Sequence, residues 1–473
     1  MNYRGIFYYL GIFAILISIF SFLNILYSIY FNSVTNHNSY IFSLAASLIV
    51  GIFLFLIGKN GNKNISSSDQ LILMILTFIF LPILISIPYL LSDYNFSFSD
   101  SYFESVSGFT TTGFSVFQNI ANIDEPLLLW RSSSQLLGGL FFLVFAIGTL
   151  GSKYIRIKPT YLLSEVNLVS NFYNNFNYNF IKISSIYFIT TLLIISFYTF
   201  VDIRLLDSFN LAFTAISSGG FIAAENLSNI IINKYQVFAF SLTLLFPIFN
   251  FYLFFNIFTR KFEYSNHQED VHLGILILLS TIFFYFFVIP DENIFSVFLA
   301  IISSISTSGL GIYSSESDVS IFLILLTIIG GSLLSTSSGI KYVRLYILLK
   351  FSQHEIYRLV KPINIFNRNL FNSQSKIDYE DLKICFLVFI SFIIAIFILS
   401  SILTLENLNF QNSFKLSILT LTNTTTSSLY GIDNLLFYEM NNFTKISLIS
   451  FMILGRIEII AVLFLIKKFL YKE

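Results

Sequence analysis

Long apolar runs separated by short polar stretches dominate this chain. A helix needs about 20 apolar residues to cross a hydrocarbon core of about 30 Å. Ten runs meet that measure, near residues 6–30, 40–57, 70–91, 127–150, 181–201, 235–258, 271–289, 320–350, 384–404 and 444–467, and they predict ten transmembrane helices. The first follows Arg4. It is longer than the about 7–15 apolar residues of a signal peptide and no A-x-A site follows, so it predicts a retained helix. The run at 320–350 is too long for one straight crossing at about 1.5 Å per residue. Its middle, Gly330 to Gly339, is a poor helix former and predicts a break. Four further segments follow outward-going helices, are too short to cross, and are rich in Ser, Thr and Gly. They predict re-entrant loops, which membranes tolerate where protein or a water-filled cavity lines them.

Those four segments repeat one another. They read DSYFESVSGFTTTGF from Asp100, DSFNLAFTAISSGGF from Asp207, SVFLAIISSISTSGL from Ser296 and NSFKLSILTLTNTTT from Asn412. Asp100, Asp207, Ser296 and Asn412 stand thirteen positions before Gly113, Gly220, Gly309 and Thr425 respectively. These opening residues are favoured helix N-caps, so each segment predicts a capped helix of about ten residues. An extended stretch follows: Thr110-Thr111-Thr112-Gly113, Ser217-Ser218-Gly219-Gly220, Ser306-Thr307-Ser308-Gly309 and Thr422-Asn423-Thr424-Thr425. A dehydrated cation needs a ring of oxygens in place of its water shell. Backbone carbonyls and Thr or Ser hydroxyls supply such oxygens, glycine admits φ > 0 so that carbonyls can turn to one axis, and the negative helix ends favour a cation. Four such units around one axis would make a cation filter. The competing reading takes the small residues as packing contacts between membrane helices.

Composition agrees with a lipid-embedded chain. Of 473 residues, 55% are hydrophobic and 11% charged, against about 25% charged in a soluble domain. Net charge is formally zero and no basic block suggests nucleic acid. The single Cys385 excludes an intramolecular disulfide, and His37, His267, His272 and His354 are scattered without metal-ligand spacing. Lys59, Lys63, Lys153, Arg156, Lys158, Lys182, Arg260, Lys261, Lys341, Arg344, Lys350, Arg358, Lys361, Arg368, Lys376, Lys383, Lys467, Lys468 and Lys472 fall on one side of the ten-span topology. Asp93, Asp124, Glu125, Asp202, Asp291, Glu292, Glu316, Asp318, Glu406, Asp433 and Glu439 fall on the other. The positive-inside rule then puts both termini in the cytoplasm. The scattered acids and histidines give no constellation for a membrane enzyme. Four loops entering from one side differ from the inverted halves of many secondary transporters.

The motifs resemble the Trk/Ktr/HKT superfamily of potassium transporters, most closely the bacterial TrkH-type subunit. They are Phe103-Glu104-Ser105 leading into Ser107-Gly108-Phe109-Thr110-Thr111-Thr112-Gly113; Trp130-Arg131-Ser132 with Gln135 and Gly138-Gly139; Gly219-Gly220-Phe221; Gly330-Gly331, Ser335-Thr336 and Gly339-Ile340-Lys341 with Arg344; and Gly455-Arg456-Ile457-Glu458. The resemblance implies an all-α polytopic membrane protein, with four helix–pore loop–helix repeats around one pore plus two extra N-terminal helices. On that reading the chain divides into two N-terminal helices (1–66), pore repeats at 67–160, 161–262 and 263–352, a cytoplasmic connector (353–383) and a fourth repeat (384–473). It further implies potassium as substrate at the four extended stretches, no covalently bound cofactor, a homodimer in the bacterial inner membrane, and a cytoplasmic TrkA-like nucleotide-binding ring that gates the pore. The fourth loop departs from the family pattern. Thr425 stands where glycine is usual, and a Cβ there disfavours φ > 0. That leaves a poorly selective potassium/sodium channel, or a cation-coupled symporter, as the alternative. Ser338 likewise replaces a common glycine.

Two features sit below the loops. Arg456 lies near the middle of the last span, where an arginine costs about 2.5–3.5 kcal/mol on insertion scales; it is expected to face the pore, the alternative being an ion pair with Glu458 or another buried carboxylate that only fixes packing. The stretch holding Gly330, Gly331, Ser335, Thr336, Gly339 and Lys341 is expected to form an intramembrane gate loop, the alternative being a kinked helix with Lys341 reaching the interface. Glu104 is expected to bond backbone N–H groups behind the first loop. The polar connector is either a docking segment or a solvated loop.

Overall fold

The computed structural model describes residues 2–31, 36–61, 65–149, 176–258, 267–290, 292–312, 317–360, 369–371, 377–406, 408–432, 435–459 and 461–462. Residues 361–368 and 372–376 of the connector lie outside them. So do Lys63, Lys153, Arg156, Lys158, Arg260, Lys261, Lys361, Arg368, Lys376, Lys467, Lys468, Lys472, Asp291, Glu316 and Asp433.

The protein is an all-helical, multi-span membrane bundle. Helices α1 (Tyr3–Tyr30) and α2 (His37–Gly58) form a hairpin. Small residues let their backbones touch: a Cβ on Gly11 would stand 2.8 Å from the Gly51 carbonyl oxygen, a close approach of the kind that drives helix pairing in lipid. Asn24 ties the hairpin to the next helices by donating to the Pro126 carbonyl at 2.9 Å, and Asp124 accepts from Asn36 (2.7 Å) and Tyr94 (3.0 Å). α3 (Ser67–Ile85) is extended by the short α4 (Ile87–Leu90). Then come α5 (Phe98–Phe109), α6 (Glu125–Thr149), α7 (Phe176–Phe200) and α8 (Leu205–Ser217). α9 (Lys234–Thr243), α10 (Phe251–Phe258), α11 (Gln268–Phe283) and α12 (Ile294–Ile305) follow. The last five are α13 (Ser317–Ile329), α14 (Tyr342–Val360), α15 (Tyr379–Thr404), α16 (Phe410–Leu421) and α17 (Asn442–Ile457).

Among the described residues, seven helices are long and apolar enough to cross a membrane. The other three expected spans are interrupted. The break in 320–350 lies where the glycines put it, between α13 and α14. Two more breaks are corrections to the sequence reading: 235–258 splits around Pro247, and the last span is broken at Glu458, whose φ is +69°. Proline supplies no N–H and crowds the preceding turn, which accounts for the first. The freed backbone groups of the two larger breaks satisfy one another. Ser332 N–H donates to Ile248 O (2.8 Å), Ser337 N–H to Pro247 O (3.1 Å) and Phe251 N–H to Leu334 O (3.0 Å). Glu269 and Asp270, at the start of α11, accept from Leu333 and Asn250 N–H. Non-helical backbone at membrane depth requires such internal pairing.

Polarity is inverted relative to a soluble domain. Phe53, Leu192, Leu278, Phe286 and Phe397 are exposed on the outer face, while Thr110, Thr111, Thr112, Ser308 and Thr424 are fully buried. Of the cations left out of the one-sided charge division, Arg204 pairs with Glu125, Lys445 with Asp100 (2.6 Å), and Lys415 donates to Ser320 and the Tyr430 carbonyl.

Candidate functional site

Four short helices, α5, α8, α12 and α16, carry the repeated segments, and their caps correct the sequence reading. The N-caps are Ser97, Arg204, Asn293 and Asn409, so Asp100, Asp207, Ser296 and Asn412 all sit three residues later, inside the first turn. Acids suit that position because they face the positive helix end. At α5 the cap is reciprocal: Ser97 Oγ accepts from Asp100 N–H and donates to its carboxylate.

All four helices end in one way. Thr111, Ser218, Thr307 and Asn423 adopt left-handed backbone, with φ of +59°, +59°, +62° and +49°. Their N–H groups bond Gly108, Ala215, Ser304 and Thr420 O, and the next residues, Thr112, Gly219, Ser308 and Thr424, bond Ser107, Thr214, Ser303 and Leu419 O. This is the Schellman stop, whose left-handed residue is usually glycine. Here each position carries a polar side chain despite a cost of about 1–2 kcal/mol. Glycine's freedom operates two residues further along, at two loops only: φ is +88° at Gly113 and +73° at Gly309, while Gly220 and Thr425 lie outside the positive region. The expectation that all four loops turn on that position is corrected, and Thr425 carries no strain from φ.

The loops meet. Asn423 Nδ2 donates to Thr112 Oγ1 (2.9 Å), Thr425 Oγ1 to Gly113 O (2.9 Å) and Ser427 Oγ to Gly309 O (2.7 Å). A Cβ on Gly113 would stand 2.7 Å from Gly220 Cα. Thr110 pairs with Thr112 and Thr422 with Thr424 through their hydroxyls, and Ser306 donates to Ser308. Ser217 points away, bonding carbonyls of its own helix.

α6 braces two of the loops. Glu104, within α5, accepts from Val116 N–H (2.8 Å), Ser115 Oγ (3.2 Å) and Arg131 Nε (2.8 Å). Arg131 also lies over the Phe221 ring, 4.1 Å from its centroid. One turn later, Gln135, in the amide orientation that satisfies its network, accepts from Gly220 and Phe221 N–H and donates to Thr214.

Beneath the loops lies the segment 330–341. Its Thr336 O accepts from Ser218 Oγ (3.0 Å) and Arg456 Nη1 (2.9 Å), and Thr336 Oγ1 donates to Ile216 O. Ser338 N–H donates to Thr307 Oγ1, and Ser338 Oγ accepts from Arg456. Gly330 and Gly339 take φ of +65° and +86°. A Cβ on Gly331 would stand 2.6 Å from Ser337 Oγ. Lys341 is buried and folds back onto Ser335 O, Ser335 Oγ and Ser337 O rather than reaching an interface. Arg456 is fully buried over the Phe142 ring (4.1 Å), and Glu458 pairs with Arg344 instead (2.6 Å). Both alternatives drawn from the sequence, an Arg456–Glu458 pair and a snorkelling Lys341, are therefore set aside. The sequence reading missed the role of Ser218 and Thr307 as the seats of this segment.

No family model matches the chain. An uncharacterized cation transporter of Methanocaldococcus jannaschii is 26% identical, covering 99% of this chain and 96% of its own length. The Trk system potassium uptake protein TrkG of Escherichia coli K12 is 26% identical over 91% of this chain and 92% of its own. The crystal structure of the potassium transporter TrkH from Vibrio parahaemolyticus superimposes with a TM-score of 0.84 over 98% of both chains at 20% identity. The chain is thus similar over nearly its full length to TrkH- and TrkG-type transport proteins, at the level of distant homologues. All three relatives are named for transport rather than for catalysis. The TrkH-like fold covers 98% of the chain.

Proposed function

We propose that this chain takes up potassium through a pathway lined by its four loops, with the 330–341 segment and Arg456 closing it from below. One observation carries the reading: residues 113, 220, 309 and 425, far apart in sequence, abut one another among buried carbonyls and hydroxyls. Four helix C-termini end there, adding partial negative charge that favours a cation. The names of the relatives favour potassium. Thr425 favours a second reading, a pathway that passes potassium and sodium with little discrimination.

The test is rubidium and sodium uptake in cells lacking their own potassium transporters. Wild type is expected to support rubidium uptake. Gly113→Ser, which forces a side chain onto φ +88° and against Gly220, is expected to lower it roughly tenfold, the scale of about 1.4 kcal/mol of local strain. A wild type that carries neither ion would sink the proposal. Equal uptake of both ions would select the second reading.

The charge division supports cytoplasmic termini, and the family resemblance supports a bacterial inner-membrane location. The family resemblance supports a homodimer with a TrkA-like nucleotide-binding ring on the cytoplasmic face. Light scattering of the detergent-solubilised chain is expected to read two copies. A monomer at all concentrations would remove the dimer.

A further inference from the structure

The segment 330–341 does not stand alone beneath the loops. It interlocks with the break between α9 and α10: Ser332 and Ser337 N–H donate to Ile248 and Pro247 O, and Phe251 N–H donates back to Leu334 O. The fit is close, since a Cβ on Gly331 would stand 2.5 Å from Ile248 O. Pulling the two breaks apart would leave backbone groups of both without partners at membrane depth, a cost that lipid does not relieve. The contacts with the loops are of another kind. Hydroxyls of Ser218, Thr307 and Thr336 make them, and a hydroxyl can rotate to meet water once a pathway opens. The weaker seam therefore runs between the loops and the interlocked pair, not through the pair.

Two neighbouring acids of α11 hold that pair, one for each half. Glu269 Oε1 accepts from Leu333 N–H (2.9 Å) in the segment, and Asp270 Oδ1 accepts from Asn250 N–H (2.8 Å) in the Pro247 break. Asp270 Oδ2 also pairs with His267 Nδ1 (3.0 Å), and Asn256 Nδ2 donates to His267 Nε2 (3.1 Å), so that Asp270 holds α10 near both of its ends. Both carboxylates are buried in the first turn of α11, where the helix dipole favours an anion. A hydrogen bond from N–H to a carboxylate is about twice as strong as a neutral one. The partners of Asp270, Asn250 and His267, both lie outside 330–341.

We propose that Glu269 and Asp270 are positioning residues of the closure. They anchor the segment 330–341 and the Pro247 break as one body, and the pathway opens by release of both breaks rather than of the segment alone. The inference rests on the reading above that 330–341 closes the pathway.

Rubidium efflux from liposomes, per copy of folded protein, tests this. Glu269→Ala and Asp270→Ala are each expected to raise resting efflux about fivefold. The rubidium concentration that half-saturates uptake should stay at its wild-type value, because the loops are untouched. Glu269→Gln and Asp270→Asn keep an oxygen for the N–H group and should hold efflux within about twofold of wild type. A merely structural role would reduce the amount of folded protein without raising efflux per copy. Asp270→Ala is the decisive variant. Wild-type efflux from folded Asp270→Ala, beside a leaking Glu269→Ala, assigns closure to the segment alone and overturns the inference. If Asp270→Ala does not fold, Asn256→Ala, which cuts only the tie of α10 to His267, replaces it; a rise of about twofold is expected, and unchanged efflux overturns the inference. Arg456→Ala separates this failure from that of the reading beneath it. A leaking Arg456→Ala beside tight acid variants leaves the closure reading in place, whereas no leak in any of them removes both.

Discussion

Arg456→Ala is expected to raise rubidium leak through the resting protein by about tenfold or more, the effect of losing charge-assisted hydrogen bonds at about 1.5–3 kcal/mol each. The guanidinium makes two contacts to the 330–341 segment, to Thr336 O and Ser338 Oγ, both at 2.9 Å. Its removal leaves the contacts of that segment with the loops on neutral bonds to Ser218, Ile216 and Thr307. It also removes a buried positive charge from beneath the loops, where a charge at about 4 Å opposes a cation by about 4 kcal/mol at an effective dielectric of 20. Both effects have the same sign. Ser338→Ala, which removes one tether and keeps the charge, should leak less than Arg456→Ala. Arg456→Lys should sit close to wild type if charge dominates and close to alanine if the paired contacts dominate. The measurement is rubidium efflux from liposomes carrying the purified chain. Unchanged efflux from folded Arg456→Ala protein would remove Arg456 from the closure.

Spans and loops were legible in the sequence for different reasons. Seven uninterrupted helices follow from apolar length alone, because lipid rewards nothing else on their outer faces. The repeated segments were legible because they can be compared with one another: Asp100, Asp207, Ser296 and Asn412 hold one register even though each lies three residues past the true cap. Polar residues favoured at caps are also favoured in the first turn, so composition alone does not separate the two positions. The break near Pro247 carried a signal that hydropathy hides, a proline in the middle of an apolar run. The break at Glu458 carried a weaker one, a carboxylate inside an apolar run.

The site was legible in its residues but not in its connections. Thr111, Ser218, Thr307 and Asn423 were readable as oxygen-bearing loop residues. Nothing in the sequence marks them as left-handed, because the glycine that normally signals a Schellman stop is absent from all four. The bonds that join Ser218 to Thr336, Thr307 to Ser338 and Thr425 to Gly113 link residues distant in the chain. Only the folded bundle brings them within reach. The consequence for Thr425 is a change of cause: a Cβ at that position matters for what it touches across the loops, not for the backbone it disfavours.

Glu104→Ala is expected to be the most destabilising single change. Glu104 is fully buried and Arg131 is 1% exposed. Breaking a buried pair by removing one partner costs about 3–5 kcal/mol, because the remaining charge has no solvent to turn to. Here the loss is compounded: Val116 N–H and Ser115 Oγ lose their acceptor, and the turn after Gly113 loses its brace. Arg131 Nη1 already has no hydrogen-bond partner among the described residues, so the orphaned guanidinium has little in reserve. The expected readout is a lower melting temperature in detergent together with lost rubidium uptake. Glu104→Ala with Arg131→Met should regain part of the stability, since replacing both members of a buried pair with apolar groups is often neutral, and the coupling in that cycle measures the pair itself. Stability and transport should then separate. Arg131 also lies over Phe221, next to Gly220 in the second loop, so the double variant is expected to fold while its rubidium-to-sodium ratio falls. Wild-type stability in Glu104→Ala would show that the first loop holds its shape without this brace, and that the four loops are set by their helix ends alone.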